Sequence, residues 1–283
     1  MIRILSDSTC DLSPELVARY RIDIMPLTVV LGEEEFTDGV DITPNEIFAW
    51  SDRTRQTPKT AVFSVQQVKD RFREYLNNGD ELICFSISET MSSSGQVMRM
   101  AAKDLHAEDR IHVIDSQNLS TGIGLLILRA ADLLAEGKTA AETVQAVEAL
   151  RNKVRSSFVI DTMTYLHRGG RCSGLVALMG NALRIHPKIV VDGGKMRPDS
   201  KYRGSMKRVL SRYTEDLIPA MQHADKARVF VTHSTCEPEL VEGVIADVKA
   251  LHHFDEILET TAGSVVSSHC GPATLGILFV DAD

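Results

Sequence analysis

The sequence predicts an α/β protein whose first half holds a mainly parallel sheet with helices on both faces. Short apolar segments typical of buried strands alternate there with segments that begin in helix-capping motifs. The second half adds hairpin signals to the mixture and therefore predicts a mixed sheet. We place the boundary near residue 155. This gives a three-layer α/β/α domain over residues 1–155 and a two-layer α/β domain over residues 156–283.

The predicted strands of the first half are followed by polar residues. The strands cover residues 2–5, 22–31, 81–87 and 110–114, and Pro26 places the second of them at an edge or a bulge. Polar clusters occupy residues 6–9, 86–94 and 115–116. Because open parallel sheets bind ligands beyond the carboxyl ends of their strands, we expect a site at this edge.

Helix starts in the first half follow from capping chemistry. Ser13 precedes Pro14, and proline is tolerated at the first helical position. Capping boxes begin at Thr43, Ser64 and Thr139, each with Glu or Gln three residues later. Together with the apolar pattern they predict helices over residues 44–50, 65–77, 97–105 and 140–154, and a long apolar helix ending at Gly137.

The second half mixes strands, helices and a tight turn. Residues 192–195 (Asp-Gly-Gly-Lys) are a hairpin signal. Strands are expected over residues 156–160 and 227–235, and two or three more near the end of the chain, including residues 264–268 (SVVSS) before His269. Helices are expected over residues 161–171, 175–183, 204–222 and 238–252.

Composition excludes several classes of protein. The formal net charge is −8 and aromatic residues make up 5%, which disfavours a generally basic, stacking nucleic-acid surface. No apolar run reaches the ~20 residues of a membrane helix, and the start passes into a strand without a secretory signal. The five cysteines are scattered without a metal-binding spacing. We therefore expect a cytoplasmic protein with reduced thiols and no metal or other cofactor.

Three adjacent serines, Ser92, Ser93 and Ser94, lie where the predicted strand 81–87 meets a helix. Hydroxyls and free N–H groups at a helix start form a site for a carboxylate or a phosphate. No base and no glycine-serine-glycine elbow accompany them, so the site is predicted to hold an anion rather than to attack it. The alternative is that one serine caps the helix and the others are solvated.

Three further features are candidates for chemistry, and the first, Lys59-Thr60 before a helix cap, has an ordinary loop as its alternative. His269 precedes Gly271-Pro272, where it either faces a cleft or forms a hydrogen bond in the core. Arg168 and Arg171 flank a double glycine, and arginine suits carboxylate and phosphate recognition. The alternative for both arginines is a solvated helix end.

Seven segments in this order and spacing resemble the DegV family of bacterial lipid-binding proteins, over nearly the whole chain. The segments are SDSTCDLSPEL, MPLTVVLGEEEFTDGVDITPNEIF, PKTAVFS, SISETMSSSGQ, IDSQNLSTGIG, DTMTYLHRGGR and HCGPATLGILF. The resemblance implies an N-terminal α/β/α domain and a C-terminal domain with helices on a mixed sheet. It also implies one long-chain fatty acid bound between or beneath them.

The resemblance further implies roles for particular residues. Thr60 and Ser92 would hold the carboxylate, Ser93 and Ser94 belong to the same head-group turn, and His269 would lie close by. Several family members act as the carrier subunit of a fatty acid kinase, whose separate ATP-binding subunit phosphorylates the carboxylate. Arg171 and Arg203 match family positions that would face that subunit.

The chain departs from the family pattern in three places. Ser93 replaces a usual glycine, residues 61–63 (Ala-Val-Phe) replace serine-glutamine-proline, and Ala273 replaces a common glycine.

Candidate tunnel-lining segments are residues 125–128, 175–183 and 275–279, most of which we expect to be ordinary core. The alternative function is a stand-alone esterase or small-molecule phosphotransferase that uses Ser92 and His269.

Overall fold

The computed structural model describes residues 1–172 and 185–282. Its strands are β1 Ile2–Asp7, β2 Ile22–Met25, β3 Thr28–Leu31, β4 Glu34–Thr37, β5 Lys59–Ala61, β6 Glu81–Ser86, β7 Ile111–Asp115, β8 Val154–Val159, β9 Ile185–Asp192, β10 Lys195–Arg203, β11 Ala224–Ser234, β12 Glu256–Thr261 and β13 Thr274–Asp281. Its α-helices are α1 Pro14–Tyr20, α2 Pro44–Thr54, α3 Val65–Asn77, α4 Ser94–Asp104, α5 Thr121–Ala135, α6 Ala140–Leu150, α7 Thr164–Gly169, α8 Met206–Met221, α9 Pro238–Lys249 and α10 Ser264–Cys270.

The first sheet is parallel and has the strand order β2-β1-β6-β7. Successive residues of its strands point to opposite faces, so Ile4 and Ile83 enter one core cluster and Leu5 and Leu82 another. Helices α5 and α6 supply apolar side chains to the first cluster, and α3 and α4 to the second. The predicted three-layer α/β/α arrangement is confirmed.

The second sheet is mixed, with the order β10-β9-β8-β13-β11-β12. Only β11 and β12 are parallel neighbours, and the other adjacent pairs are antiparallel. The predicted hairpin joins β9 to β10, and its turn residues Gly193 and Gly194 have φ of 54° and 78°. Helices α8 and α9 pack on one face of this sheet.

Helix α5 lies between the two large sheets. It contacts β1 and β6 of the parallel sheet and β8, β11 and β13 of the mixed sheet. Ile123, Leu126, Ile127 and Leu128 are all fully buried. A helix that packs on both sides needs apolar residues around its whole circumference, which explains the apolar run in the sequence.

A third, small sheet was not predicted. The extended segment 22–31 divides at Pro26 into β2, an edge strand of the parallel sheet, and β3, the centre of an antiparallel sheet with the order β4-β3-β5. Strand β5 carries Thr60, which the sequence left in a loop. Strands of three or four residues with exposed charged side chains give too short a pattern to be recognised.

The strand predicted over residues 264–268 is wrong, because these residues begin helix α10. Serine and valine favour extended structure locally, but tertiary contacts to the first N–H groups of the segment stabilise a helix instead. His269 therefore lies in the last turn of a helix. The helix predicted over residues 175–183 lies outside the described residues, and the boundary near residue 155 stays a prediction.

Candidate functional site

A cavity of about 410 Å³ lies beyond the carboxyl ends of β1 and β6, where the small sheet and α10 meet them. Its described walls are mostly apolar. They include Leu27, Ala61, Val62, Ile87, Met91, Leu119, Phe158, Leu166, Met196, Val265, Val266 and Cys270. Its polar lining residues are Thr9, Thr60, Ser92, Ser93, Arg171 and His269. An apolar space with a few polar groups is typical of a small-molecule site.

Thr60 and His269 form a pair in this cavity although 209 residues separate them. The Thr60 hydroxyl oxygen lies 3.0 Å from Nε2 of His269. The other ring nitrogen, Nδ1, is buried without a partner. Since a buried donor without an acceptor is rare in proteins, we assign the ring proton to Nε2 and leave Nδ1 as an acceptor. His269 then donates to Thr60, and the Thr60 hydroxyl hydrogen is free to bind a ligand.

The environment keeps His269 neutral. Burial, together with a smaller contribution from the positive charge of Arg171, lowers the pKa of His269 to about 4. The ring also packs against Gly169 at the end of α7, where an added Cβ would lie 2.6 Å from Nδ1. Glycine at position 169 therefore permits the close approach that positions the imidazole.

The three adjacent serines at the start of α4 have different environments. Ser92 lines the cavity, and its Oγ accepts from the N–H of Ser94 at 3.3 Å, which leaves its own hydrogen available. Ser93 also lines the cavity at an exposed position and is the N-cap residue of α4, without a side-chain capping bond. Its φ of −92° is accessible to any residue, so serine replaces the family's glycine there without strain.

Ser94 is turned away from the cavity. It is fully buried, and its Oγ donates to Oδ2 of Asp7 at 2.6 Å. Asp7 also accepts from the N–H groups of Ile87 and Thr9. This carboxylate joins the ends of β1 and β6 to the start of α4, so the polar clusters that the sequence placed at one sheet edge do meet there.

The two arginines occupy different environments. Arg171 is exposed and lines the cavity, and its guanidinium donates to the carbonyl oxygens of Gly169 at 2.6 Å and Met91 at 3.4 Å. Arg203 is the exposed last residue of β10 and pairs through its backbone with Ile185. The structure thus places Arg171, but not Arg203, in the wall of the cavity.

Two buried carboxylates hold the beginning of α10. Asp38 accepts from the N–H groups of Ser264 at 2.7 Å and Val265 at 3.2 Å, and Asp11 accepts from that of Gly263 at 2.8 Å. Burial raises the pKa of Asp11 to about 8, with the Asp38 charge contributing in the same direction, and burial also raises the pKa of Asp38. Sequence reasoning missed both residues, because their partners lie more than 200 positions away.

Other parts of the cavity were also missed or misplaced. Phe158, Met91 and Val265 line it, but nothing in their local sequence distinguishes them from core residues. Residues 125–128 pack in the core, whereas Gly276 and Leu278 from the candidate segment 275–279 line a second, smaller cavity. The candidate segment 175–183 lies outside the described residues.

None of the helices within residues 1–172 and 185–282 combines the length and the apolar character that crossing a bilayer requires.

Comparison with known proteins finds relatives over almost the whole chain. A family model described as "Uncharacterised protein, DegV family" matches residues 1–282. A DegV domain-containing protein of Clostridium perfringens is 32% identical, over 99% of this chain and 98% of the relative. A DegV family protein of Thermus thermophilus, described as fatty-acid binding, has a TM-score of 0.91 and 28% identity over 99% of both chains.

A second solved structure is similar to this chain over almost the same length. A stearic-acid-binding protein of Eubacterium ventriosum has a TM-score of 0.85 and 29% identity, over 99% of this chain and 98% of its own. Because the family model and these relatives extend over almost the full length, the chain belongs to the DegV family.

Proposed function

We propose that this protein binds one long-chain fatty acid, with the acyl chain in the 410 Å³ cavity and the carboxylate at its polar rim. The observation that carries the proposal is the Thr60–His269 pair. The pair leaves a hydroxyl hydrogen at the polar rim of a mostly apolar space. The fatty-acid binding described for the Thermus and Eubacterium relatives supports the same ligand class.

The affinity and the orientation of the ligand come from different parts of the site. Each buried methylene contributes about 0.8 kcal/mol, so a dozen favour binding by about 10 kcal/mol before ordering costs. Hydrogen bonds from Thr60 and Ser92 and the charge of Arg171 keep the carboxylate ionised at the rim. The acyl chain therefore supplies most of the binding free energy, and the rim fixes the direction of the ligand.

A carboxylate held at the rim can be presented to a separate enzyme. We place the ATP-dependent chemistry on a partner kinase subunit, with this chain as the carrier. Phosphoryl transfer depends on positioning and charge stabilisation, and the exposed Arg171 lies next to the site where both are needed. Arg203, exposed on β10, is assigned to the partner surface on the family resemblance. The proposal places the carrier in the cytoplasm, consistent with the buried, reduced thiols of Cys10, Cys84, Cys236 and Cys270.

The alternative, a stand-alone hydrolase, requires His269 to activate Ser92. In the structure His269 Nε2 is hydrogen-bonded to Thr60, and its lowered pKa makes it a weak base. The Ser92 hydroxyl oxygen instead accepts a hydrogen bond from the N–H of Ser94. The geometry therefore favours holding a carboxylate over attacking an ester.

The direct test is identification of the small molecule that accompanies the protein. Protein purified from a bacterial host is denatured and extracted, and the extract is analysed by mass spectrometry, with palmitate and oleate added to delipidated protein in parallel. We expect a co-purifying long-chain acid and saturable uptake at one site. Absence of both would overturn the proposal, and steady hydrolysis of a p-nitrophenyl ester that His269→Ala abolishes would favour the hydrolase.

A further inference from the structure

A second, smaller cavity adjoins the main one. It measures about 40 Å³ and lies against the mixed sheet. Four residues line both spaces, namely Leu119, Phe158, Val266 and Cys270. Because the same side chains face both cavities, they form a wall one side chain thick. The rim residues Thr60, Ser92, Arg171 and His269 line only the main cavity, so the small one lies away from the head-group end.

The hydroxyl groups around the small cavity are already paired within the protein. These pairs are Thr232 with Thr121 at 2.5 Å and Thr260 at 2.9 Å, Ser234 with Ser267 at 2.9 Å, Ser120 with Asp11 at 2.5 Å, and Thr274 with the Cys270 carbonyl at 3.1 Å. His233 also lines it, with Nδ1 unpaired and Nε2 3.5 Å from Glu259. With its proton on Nε2, toward Glu259, the ring has no second donor to offer a carboxylate. The cavity therefore has nothing suited to a carboxylate and fits an apolar group.

Two small residues leave this space open. Gly276 on β13 is the cross-strand partner of Phe158 on β8. A Cβ at position 276 would lie 3.0 Å from the Phe158 Cβ and 2.8 Å from the Ser157 carbonyl oxygen, so a larger residue there would require the strand to shift. Ala262, which precedes α10, contributes only a methyl group to the lining.

The geometry points to the small cavity as the subsite for the methyl end of the acyl chain, with Phe158 as the residue that sets the preferred chain length. This inference rests on the proposed function. A space of about 40 Å³ exceeds the ~10–15 Å³ that one water molecule needs on the same measure, and it has room for one or two methylene-sized groups. Acids that end in the main cavity leave the wall closed, and longer ones displace the Phe158 ring to reach the space behind it.

The test measures dissociation constants for the saturated series from dodecanoate to arachidate, using delipidated protein. Affinity should rise about fourfold per added methylene, the equivalent of ~0.8 kcal/mol, until the subsite is full. Ala262→Val, which fills the subsite, should stop this rise about one or two carbons earlier and leave dodecanoate affinity within about twofold of wild type. Phe158→Ala should extend the rise by about two carbons, because it joins the two cavities.

The same substitution at an exposed position, Ala250→Val, is the matched control and should leave the series unchanged. Ala262→Val reduces the volume of the subsite and Phe158→Ala enlarges it. If one variant fails to fold, the length dependence of the other still tests the inference. Wild-type length dependence in a folded cavity variant would overturn the subsite while leaving fatty-acid binding intact. Failure of wild-type protein to bind any member of the series would instead remove the proposed function itself.

Discussion

The two ends of helix α10 differ in how completely their polar groups are paired. At the beginning of the helix, the N–H groups of Gly263, Ser264 and Val265 all donate to buried carboxylates. At its end, His269 shares one ring nitrogen with Thr60 and keeps the other unpaired. The N–H groups at the first end therefore find all their acceptors within the protein. The polar groups at the second end can still form hydrogen bonds with a ligand in the cavity.

This difference separates a structural role from a binding role on one short helix. Buried N–H groups without acceptors cost free energy, so the side-chain oxygens of Asp11 and Asp38 hold α10 against the N-terminal half of the chain. The hydroxyl of Thr60 can serve a ligand because His269 is its donor rather than its acceptor. Substitutions at the first end should therefore change stability, and substitutions at the second should change binding.

The largest effect is expected from Asp38→Ala. The change leaves two buried N–H groups at the start of α10 and the Ser8 hydroxyl without their acceptor. We expect the free energy of unfolding to fall by about 3 kcal/mol, measured by urea denaturation. Glu33→Ala, at an exposed position in the same part of the chain, is the control and should have almost no effect. A loss below about 0.5 kcal/mol would show that Asp38 does not hold the helix.

Thr60→Val is expected to weaken fatty-acid binding with a smaller effect on stability. It removes a hydroxyl bond to an ionised carboxylate, which corresponds to about 2 kcal/mol or roughly 30-fold in the dissociation constant for palmitate. Thr60→Ser should restore most of the affinity, and affinity for methyl palmitate, which lacks the charge, should change little. Equal losses for the acid and its ester would point to a packing defect in place of head-group recognition.

The pH dependence of stability provides a third comparison of the two ends. The pKa of Asp11 is raised to about 8, and an unfolded aspartate titrates near 4. The folded state therefore retains a proton that the unfolded state has lost, and stability falls as pH rises from about 4 to 8. The pKa of His269 is lowered to about 4, so its contribution increases with pH between about 4 and 6.5.

Above pH 6.5 the contribution of His269 is complete, and Asp11 continues to titrate. Asp11→Asn should therefore reduce the loss of unfolding free energy between about pH 6.5 and 8 by on the order of 1 kcal/mol. Urea denaturation at both pH values, with wild type alongside, measures the difference. An unchanged slope in the variant would mean that Asp11 is already ionised in the folded protein at pH 6.5.

The smallest effect is expected at the turn after α10. Ala273 has a φ of 52°, in the left-handed region that glycine adopts without steric cost. Ala273→Gly should stabilise the protein by up to about 1 kcal/mol, partly offset by the greater freedom of glycine in the unfolded chain. A thermal unfolding scan of both proteins measures the effect. A lower unfolding midpoint for the variant would show that the backbone at Ala273 is not strained.

Local chemistry made much of the fold predictable. The capping boxes at Thr43, Ser64 and Thr139 all form, and each helix begins at the residue that follows. The ends were less accurate, because α2 continues to Thr54 and α6 stops at Leu150, where no single residue marks the boundary. Helix starts were found since a capping box keeps both partners within four residues.

Long-range partners limited the prediction elsewhere. Helix α10 was mistaken for a strand because its first N–H groups bond to Asp38 and Asp11, respectively 226 and 252 residues from their partners at Ser264 and Gly263. His269 was singled out from its local sequence with a core alternative left open, but the head-group role of Thr60 and His269 came only from the family resemblance, because their contact spans 209 residues. Ser94 was grouped with Ser92 by adjacency, although the turn directs its hydroxyl toward Asp7.

The position of α5 between the two sheets has a consequence for biosynthesis. The helix covers residues 121–135, but part of its packing surface is β13, residues 274–281. A ribosome adds roughly 5–20 residues per second, so roughly 7 to 30 seconds separate the helix from its last partner. During that interval one apolar side of α5 has no finished neighbour, and we expect chaperones that bind exposed apolar helices to engage the nascent chain there.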